Sequence, residues 1–171
     1  MDQKRNHILG FGAAFLVLTA LDQWTKKLAV THLMGKRPYV IWNGVFELFY
    51  SENRGAAFGM LQGKQALFLI ITLCVFAAIL YALIRLPAGR RFLPMELCLT
   101  VIAAGAAGNM IDRVSQGYVV DFLYFKLIDF PIFNVADCYV TVATVVLMAL
   151  FLWFYKEEEV EILFPGRKGQ A

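Results

Sequence analysis

ALFLIITLCVFAAILYALI, residues 66–84, is an unbroken apolar run followed closely by Arg85, Arg90 and Arg91. A helix needs ~20 such residues to cross ~30 Å of hydrocarbon, and arginines suit the water-facing margin of a bilayer. This stretch assigns the chain to a membrane, and three further runs extend the pattern. Residues 92–111 carry Ala103, Ala104, Ala107 and Gly108, which form small-xxx-small pairs at 103/107 and 104/108 where a second helix can come close. Residues 137–155 are rich in Val, Leu and aromatics. Residues 8–21 follow Lys4 and Arg5 and so share the charged start and apolar middle of a secretory signal peptide. They continue, however, into Asp22-Gln23-Trp24-Thr25-Lys26-Lys27 with no small-x-small cleavage site, which favours an uncleaved helix reaching about Val30.

The expectation is an all-α membrane protein forming a single integral domain over residues 1–171. Four transmembrane helices are expected at about 8–30, 66–84, 92–111 and 137–155, joined by a small extracytoplasmic antiparallel β-sheet and a second extracytoplasmic connection. Composition agrees: 60% of the 171 residues are hydrophobic and only 17% charged, with a mean hydropathy of +0.62, too apolar for a soluble domain of this size. The net charge of +3 is therefore a property of the loops. No basic stripe interleaved with aromatics points to nucleic acid. Cys74, Cys98 and Cys138 lie in or beside apolar runs and read as packing residues, while His7 and His32 have no partner at ligand spacing, so neither metal nor cofactor is expected. Glu157, Glu158 and Glu159 belong to a short charged tail that reads as solvated.

Four spans place both termini on one side and the longer connections, 31–65 and 112–136, on the other. Half of the 16 Lys and Arg residues (Lys4, Arg5, Arg85, Arg90, Arg91, Lys156, Arg167 and Lys168) crowd into the shorter set of segments, which makes the termini cytoplasmic. In the first long connection, Tyr39-Val40-Ile41-Trp42 and residues 45–50 flank Asn43-Gly44, a hairpin signal. Its rings Tyr39, Trp42, Phe46, Phe49 and Tyr50 suit a sheet lying at the membrane interface.

This topology gathers Asp22, Asn53-Arg54-Gly55, Asn109, Asp112-Arg113, Asp121, Asn134 and Asp137 at one membrane face. Ionisable groups at such depth are costly and by default mark function. Asp121 is embedded in Val119-Val120-Asp121-Phe122-Leu123, surroundings that favour its protonated form. Asp137 follows Asn134 by three residues at the start of the last run, so it serves equally well as half of a capping box or as a reacting group. Two carboxylates that meet cannot both ionise readily and share one proton, the device by which an aspartic peptidase activates water and protonates a scissile carbonyl. For Asp112 and Arg113, adjacent in sequence, local pairing is favoured over direct catalysis. Asn53 and Gly55 fit a tight turn or a hold on a substrate backbone, and Asp22 with Lys26 fits an i,i+4 helix pair.

Asp22-Gln23 with Lys26, Asn53-x-Gly55 with Phe58, Gly108-Asn109-x-x-Asp112-Arg113, Val119-Val120-Asp121-Phe122 and Phe133-Asn134-x-Ala136-Asp137 together resemble the lipoprotein signal peptidase (signal peptidase II) family in order and spacing, over nearly the whole chain. The resemblance implies a catalytic pair at Asp121 and Asp137. It gives Asn53, Gly55, Asn109, Asp112, Arg113, Asn134, Asp22 and Lys26 roles in shaping the site or contacting substrate. It further implies prolipoprotein substrates cut before a diacylglyceryl-modified cysteine at the outer face of the bacterial inner membrane, contact with membrane lipid, inhibition by globomycin-type peptides, and an interfacial sheet that cradles substrate. Two other classes compete. A proton-coupled carrier would also use membrane carboxylates, but would place them at the midplane of an inverted repeat. A scaffold would use the small-residue stripe as its contact face.

Overall fold

The computed structural model describes residues 2–55, 65–87 and 89–163, with the side chains of residues 2–8 excepted. Phe58 and the tail residues Arg167 and Lys168 lie outside the described residues, as do the side chains of Lys4, Arg5 and His7. The order is α1 (Asp2–Leu33), β1 (Tyr39–Trp42), β2 (Phe46–Asn53), α2 (Gln65–Arg85), α3 (Leu93–Gln116), β3 (Val119–Phe125), α4 (Val135–Ala149) and the short α5 (Glu157–Val160). A wide π turn, Leu150–Phe154, prolongs α4. Three helical stretches, Gln65–Arg85, Leu93–Gln116 and Val135–Phe154, are long and apolar enough to cross a membrane. The long helix outside that set is α1, whose second half carries Asp22, Gln23, Lys26 and Lys27.

α3 is the central helix. Over its most apolar window 56% of residues are buried, against 6% for α2 and 11% for the α4 stretch. Small residues make this possible. A Cβ on Gly105 would sit 2.6 Å from the Ala136 carbonyl oxygen and 2.9 Å from Val140 Cγ2 of α4, and one on Gly108 would strike the Asp22 carboxylate of α1. Ala104, just before Gly105, is wholly buried. The small-residue stripe of the sequence is therefore an internal seam, with Gly105 as a further member.

α3 also runs past 111, where its apolar run stops, to Gln116. Its polar last turns find partners on other elements, and the helix closes on Gly117, left-handed at φ +79, whose N–H reaches the Arg113 carbonyl at 3.1 Å. β3 corrects the reading of 112–136 as a plain connection: Val119–Phe125 is the third strand of an antiparallel sheet ordered β1-β2-β3. Its burial is continuous from Val119 to Phe122, so the strand carries no in-out alternation by which to be recognised. The Asn43-Gly44 turn forms as expected, with Gly44 at φ +72 and Val45 N–H bonded to the Trp42 carbonyl at 2.9 Å. Beyond β3 the chain doubles back, and Phe133 exchanges backbone bonds with Leu123 at 2.8 and 3.0 Å, returning Asn134 to the level of Asp121.

Ala29, Val120 and Phe122 form a small core beneath the sheet. A larger one, with Ile79, Phe92, Met95, Leu99 and Tyr155, lies at the other end of α3. There Arg91 grips Glu159 at 2.8 and 2.9 Å and the Phe154 carbonyl at 2.5 Å, closing the helices around α5.

Candidate active site

Asp121 and Asp137 reach the site from different elements. Asp121 stands on β3 opposite Ser51 of β2 and is 2% exposed. Asp137 occupies the third position of α4, in a capping box: its N–H donates to Asn134 Oδ1 at 3.0 Å and its Oδ2 accepts from the Asn134 N–H at 3.1 Å. The capping role is thus real, and it is compatible with chemistry because the other oxygen, Oδ1, faces the site and accepts from Asn109 Nδ2 at 2.8 Å.

Asn134 joins the two acids. Its amide nitrogen donates to Asp121 Oδ1 at 2.6 Å and to Asn109 Oδ1 at 3.1 Å, with the whole residue buried. Asn53, paired to Val119 at the end of β2, supplies Asp121 Oδ2 with a second donor at 2.9 Å. Its own oxygen accepts from the Gly55 N–H at 3.0 Å, the tight turn expected of Asn53-x-Gly55. Burial first, and then the neighbouring charge of Asp137, push the Asp121 carboxyl up to about 7, against the pull of the two asparagine amides and Lys26.

Behind this pair lies a buried ionic cluster. Lys26 Nζ is 3.0 Å from Asp22 Oδ2, 3.2 Å from Asp112 Oδ2 and 2.9 Å from Asn109 Oδ1. The i,i+4 pairing of Asp22 with Lys26 is present, but its setting is the protein interior and not a solvated helix face. Asp22 Oδ1 takes the Ala136 N–H at 2.9 Å and so ties down the first turn of α4; Asp112 Oδ2 takes the Val120 N–H at 3.0 Å and so ties down β3 beside Asp121. Gln23, which had no role assigned from sequence, donates to Asp112 Oδ1 at 3.0 Å and to the Gly108 carbonyl at 3.1 Å.

The favoured local pairing of Asp112 with Arg113 gives way to this arrangement. Successive helical residues point ~100° apart. Asp112 faces Lys26 on α1, while Arg113 faces the other way, over the Phe68 ring at 4.6 Å, with contacts of 3.4 Å to the Gly55 and Asn109 carbonyls.

Arg113, Asn53 and Asp137 open onto a cleft of about 440 Å³ whose other wall is apolar: Phe130, Pro131, Ile132, Phe133, Cys138, Thr141 and Val142. Phe133 stacks on Phe125 at 5.7 Å and meets Phe130 edge-on at 5.8 Å, so the sheet braces this wall. The cysteines divide accordingly. Cys98 is a buried packing residue, whereas Cys138 lines the cleft and Cys74 is exposed on the outer face of α2.

Residues 14–154 match the family model described as signal peptidase (SPase) II. The lipoprotein signal peptidase of Caldanaerobacter subterraneus subsp. tengcongensis is 45% identical over 141 residues, covering 82% of this chain and 92% of that protein. That of Streptococcus thermophilus (strain CNRZ 1066) is 45% identical over 145 residues, covering 85% and 92%. Two solved structures titled as bacterial membrane enzymes superpose with TM-scores of 0.75 and 0.74, at 28% and 31% identity; the first covers 96% of this chain and 95% of its own, the second 86% and 96%. Shared motifs, a family match over most of the chain and relatives covered nearly end to end agree: this protein belongs to the signal peptidase II family.

Proposed function

We propose that Asp121 and Asp137 are the catalytic pair of an aspartic endopeptidase that removes signal peptides from prolipoproteins, cutting before the diacylglyceryl-modified cysteine at the outer face of the bacterial inner membrane. Family membership makes the chain a multi-pass bacterial membrane protease that processes lipoproteins. The assignment of residues rests on one observation: two carboxylates from separate elements are bridged through Asn134 and held by amide donors, Asp137 lining a cleft and Asp121 buried against Asn53, which lines it too.

The chemistry needs one proton between the two acids. The ionised aspartate takes a proton from a water as its oxygen attacks the scissile carbonyl carbon; the protonated one donates to the carbonyl oxygen. Collapse of the tetrahedral intermediate breaks the C–N bond, and the proton gained from water passes to the departing amine. No covalent intermediate forms. Burial of Asp121, together with the charge of Asp137, favours retention of one proton near neutral pH. Arg113 and Asn53, on the cleft wall, are placed to bind the substrate backbone, and the apolar wall from Phe130 to Phe133 is suited to the hydrocarbon that such a substrate brings. In this reading α1 is a fourth span, the sheet and cleft are extracytoplasmic, both termini are cytoplasmic, and globomycin-type peptides bind at the cleft.

Purified protein in lipid is to be incubated with a lipidated precursor and the products weighed by mass spectrometry. The expected result is a cut immediately before the modified cysteine by the wild type, and rates lowered by at least ~10³-fold in Asp121→Asn and Asp137→Asn proteins that remain folded. Wild-type activity in either variant overturns the assignment.

A further inference from the structure

Three asparagines surround the two acids, and each can turn either end of its amide toward them. The direction is fixed where the amide oxygen meets a group that can only donate. For Asn53 that group is the Gly55 N–H at 3.0 Å, and for Asn134 it is the Asp137 N–H at 3.0 Å, both backbone. For Asn109 the charged donor is Lys26 Nζ at 2.9 Å, joined by the Asn134 amide at 3.1 Å. An ammonium has three donors and no acceptor. With Asn109 Oδ1 held this way, its Nδ2 must face Asp137, as it does at 2.8 Å.

We propose that Lys26 is a positioning residue for the reaction: through Asn109 it keeps a hydrogen-bond donor on Asp137, so that Asp137 is the aspartate that accepts the proton of the attacking water and Asp121 the one that carries the shared proton. This rests on the catalytic pairing above and adds to it the direction of proton transfer. Lys26 itself is 3% exposed and does not line the cleft, so it acts without touching substrate. The geometry supports the division of labour. Both acids receive two N–H donors, but those of Asp137 are a backbone group at a helix start and an amide held by a cation, and Asp137 lines the cleft, whereas Asp121 is buried and its donors are the side-chain amides of Asn53 and Asn134. The charged groups facing Lys26 are Asp22 on its own helix and Asp112 of α3; Asp137 of α4 stands one amide beyond, and Asp121 of β3 also feels its charge.

Removing the lysine alone strands two buried carboxylates, so the test uses Lys26→Met in an Asp112→Asn background, which leaves the cluster's net charge unchanged, with Asp112→Asn as the comparator. On a lipidated precursor, the double variant is expected to lose at least ~10-fold in kcat with KM unchanged, and the acid limb of its kcat/KM profile to move to higher pH. Unchanged kcat and profile overturn the proposal, as does a change confined to KM. If the double variant does not fold, the wild type decides: solid-state NMR in bilayers is expected to show Asn109 Nδ2 in contact with the Asp137 carboxyl carbon, and contact of Asn109 Oδ1 there instead overturns the inference. A wild type that cleaves no precursor refutes the functional reading, while the amide contact stands or falls separately.

Discussion

Asp121 is the side chain on which burial and charge act most directly. Its carboxyl is raised from 3.8 to about 7, so between those values the folded protein holds a proton that the unfolded chain has released. Its contribution to stability is therefore present in full below about pH 4, declines as pH rises and levels off above about 7. An asparagine at this position cannot ionise. Thermal unfolding of the wild type and Asp121→Asn in detergent is expected to show the variant's Tm rising relative to wild type across that window, on top of a constant offset from its amide meeting the amides of Asn53 and Asn134. Parallel Tm curves would refute it. Much at this scale was readable in advance, because four expected helices alone put Asp22, Asn109, Asp121 and Asp137 at one face. What stayed hidden were the partners. That Asp112 turns to Lys26 and away from Arg113 depends on which neighbour each face of α3 meets, and that Gln23 joins them depends on how closely α1 lies against it. Neither is a property of local sequence.

At the scale of elements, the seam along α3 sets the distances within the site. Asp22 reaches the Ala136 N–H only because Gly108 leaves room for its carboxylate, and α4 approaches only because Gly105 leaves room for the Ala136 carbonyl. At Gly105 the obstacle is a backbone carbonyl, which cannot swing aside; at Gly108 it is a side chain, but one held in place by Lys26 and the Ala136 N–H. Gly105→Ala and Gly108→Ala are each expected to cost about 1–3 kcal/mol of stability and to reduce activity, since the displaced helix carries Asp137 or the anchor that holds it. Gly12→Ala is the control: its added methyl meets nothing within 4 Å, and a change below about 0.5 kcal/mol is expected. Equal small gains at all three positions would show that helix propensity, which favours alanine over glycine, and not the seam, governs the result. The pairs 103/107 and 104/108 announced a close contact, but not that α3 is approached from two sides, by α1 at Gly108 and by α4 at Gly105. β3 was missed for a related reason, since a strand buried on both faces and bearing an acid lacks the alternation that would identify it.

Across the whole molecule the polar site and the charged turns occupy opposite ends. α3 has 24 residues, hence a length of ~36 Å, with Met95 of the larger core near its start and Asp112 of the ionic cluster near its end. Arg85, Arg91 and Glu159 gather at the first end; the sheet, the cleft and both aspartates gather at the second. At the sheet end, Tyr39 and Trp42 are 64% and 68% exposed, rings suited to the interface between lipid and water. In the proposed topology, drawn from the density of Lys and Arg, the α5 end lies in the cytoplasm. With Cys74, Cys98 and Cys138 replaced by serine or alanine, a cysteine at Lys36 is expected to react with a membrane-impermeant maleimide added to intact spheroplasts, and one at Lys156 to react only after the membrane is opened. The reverse pattern would place the aspartates on the cytoplasmic side, away from exported substrates. Labelling of both in intact spheroplasts would mean that an even number of crossings separates the two positions, so that one of α2, α3 and α4, the helices between residues 36 and 156, does not span the membrane.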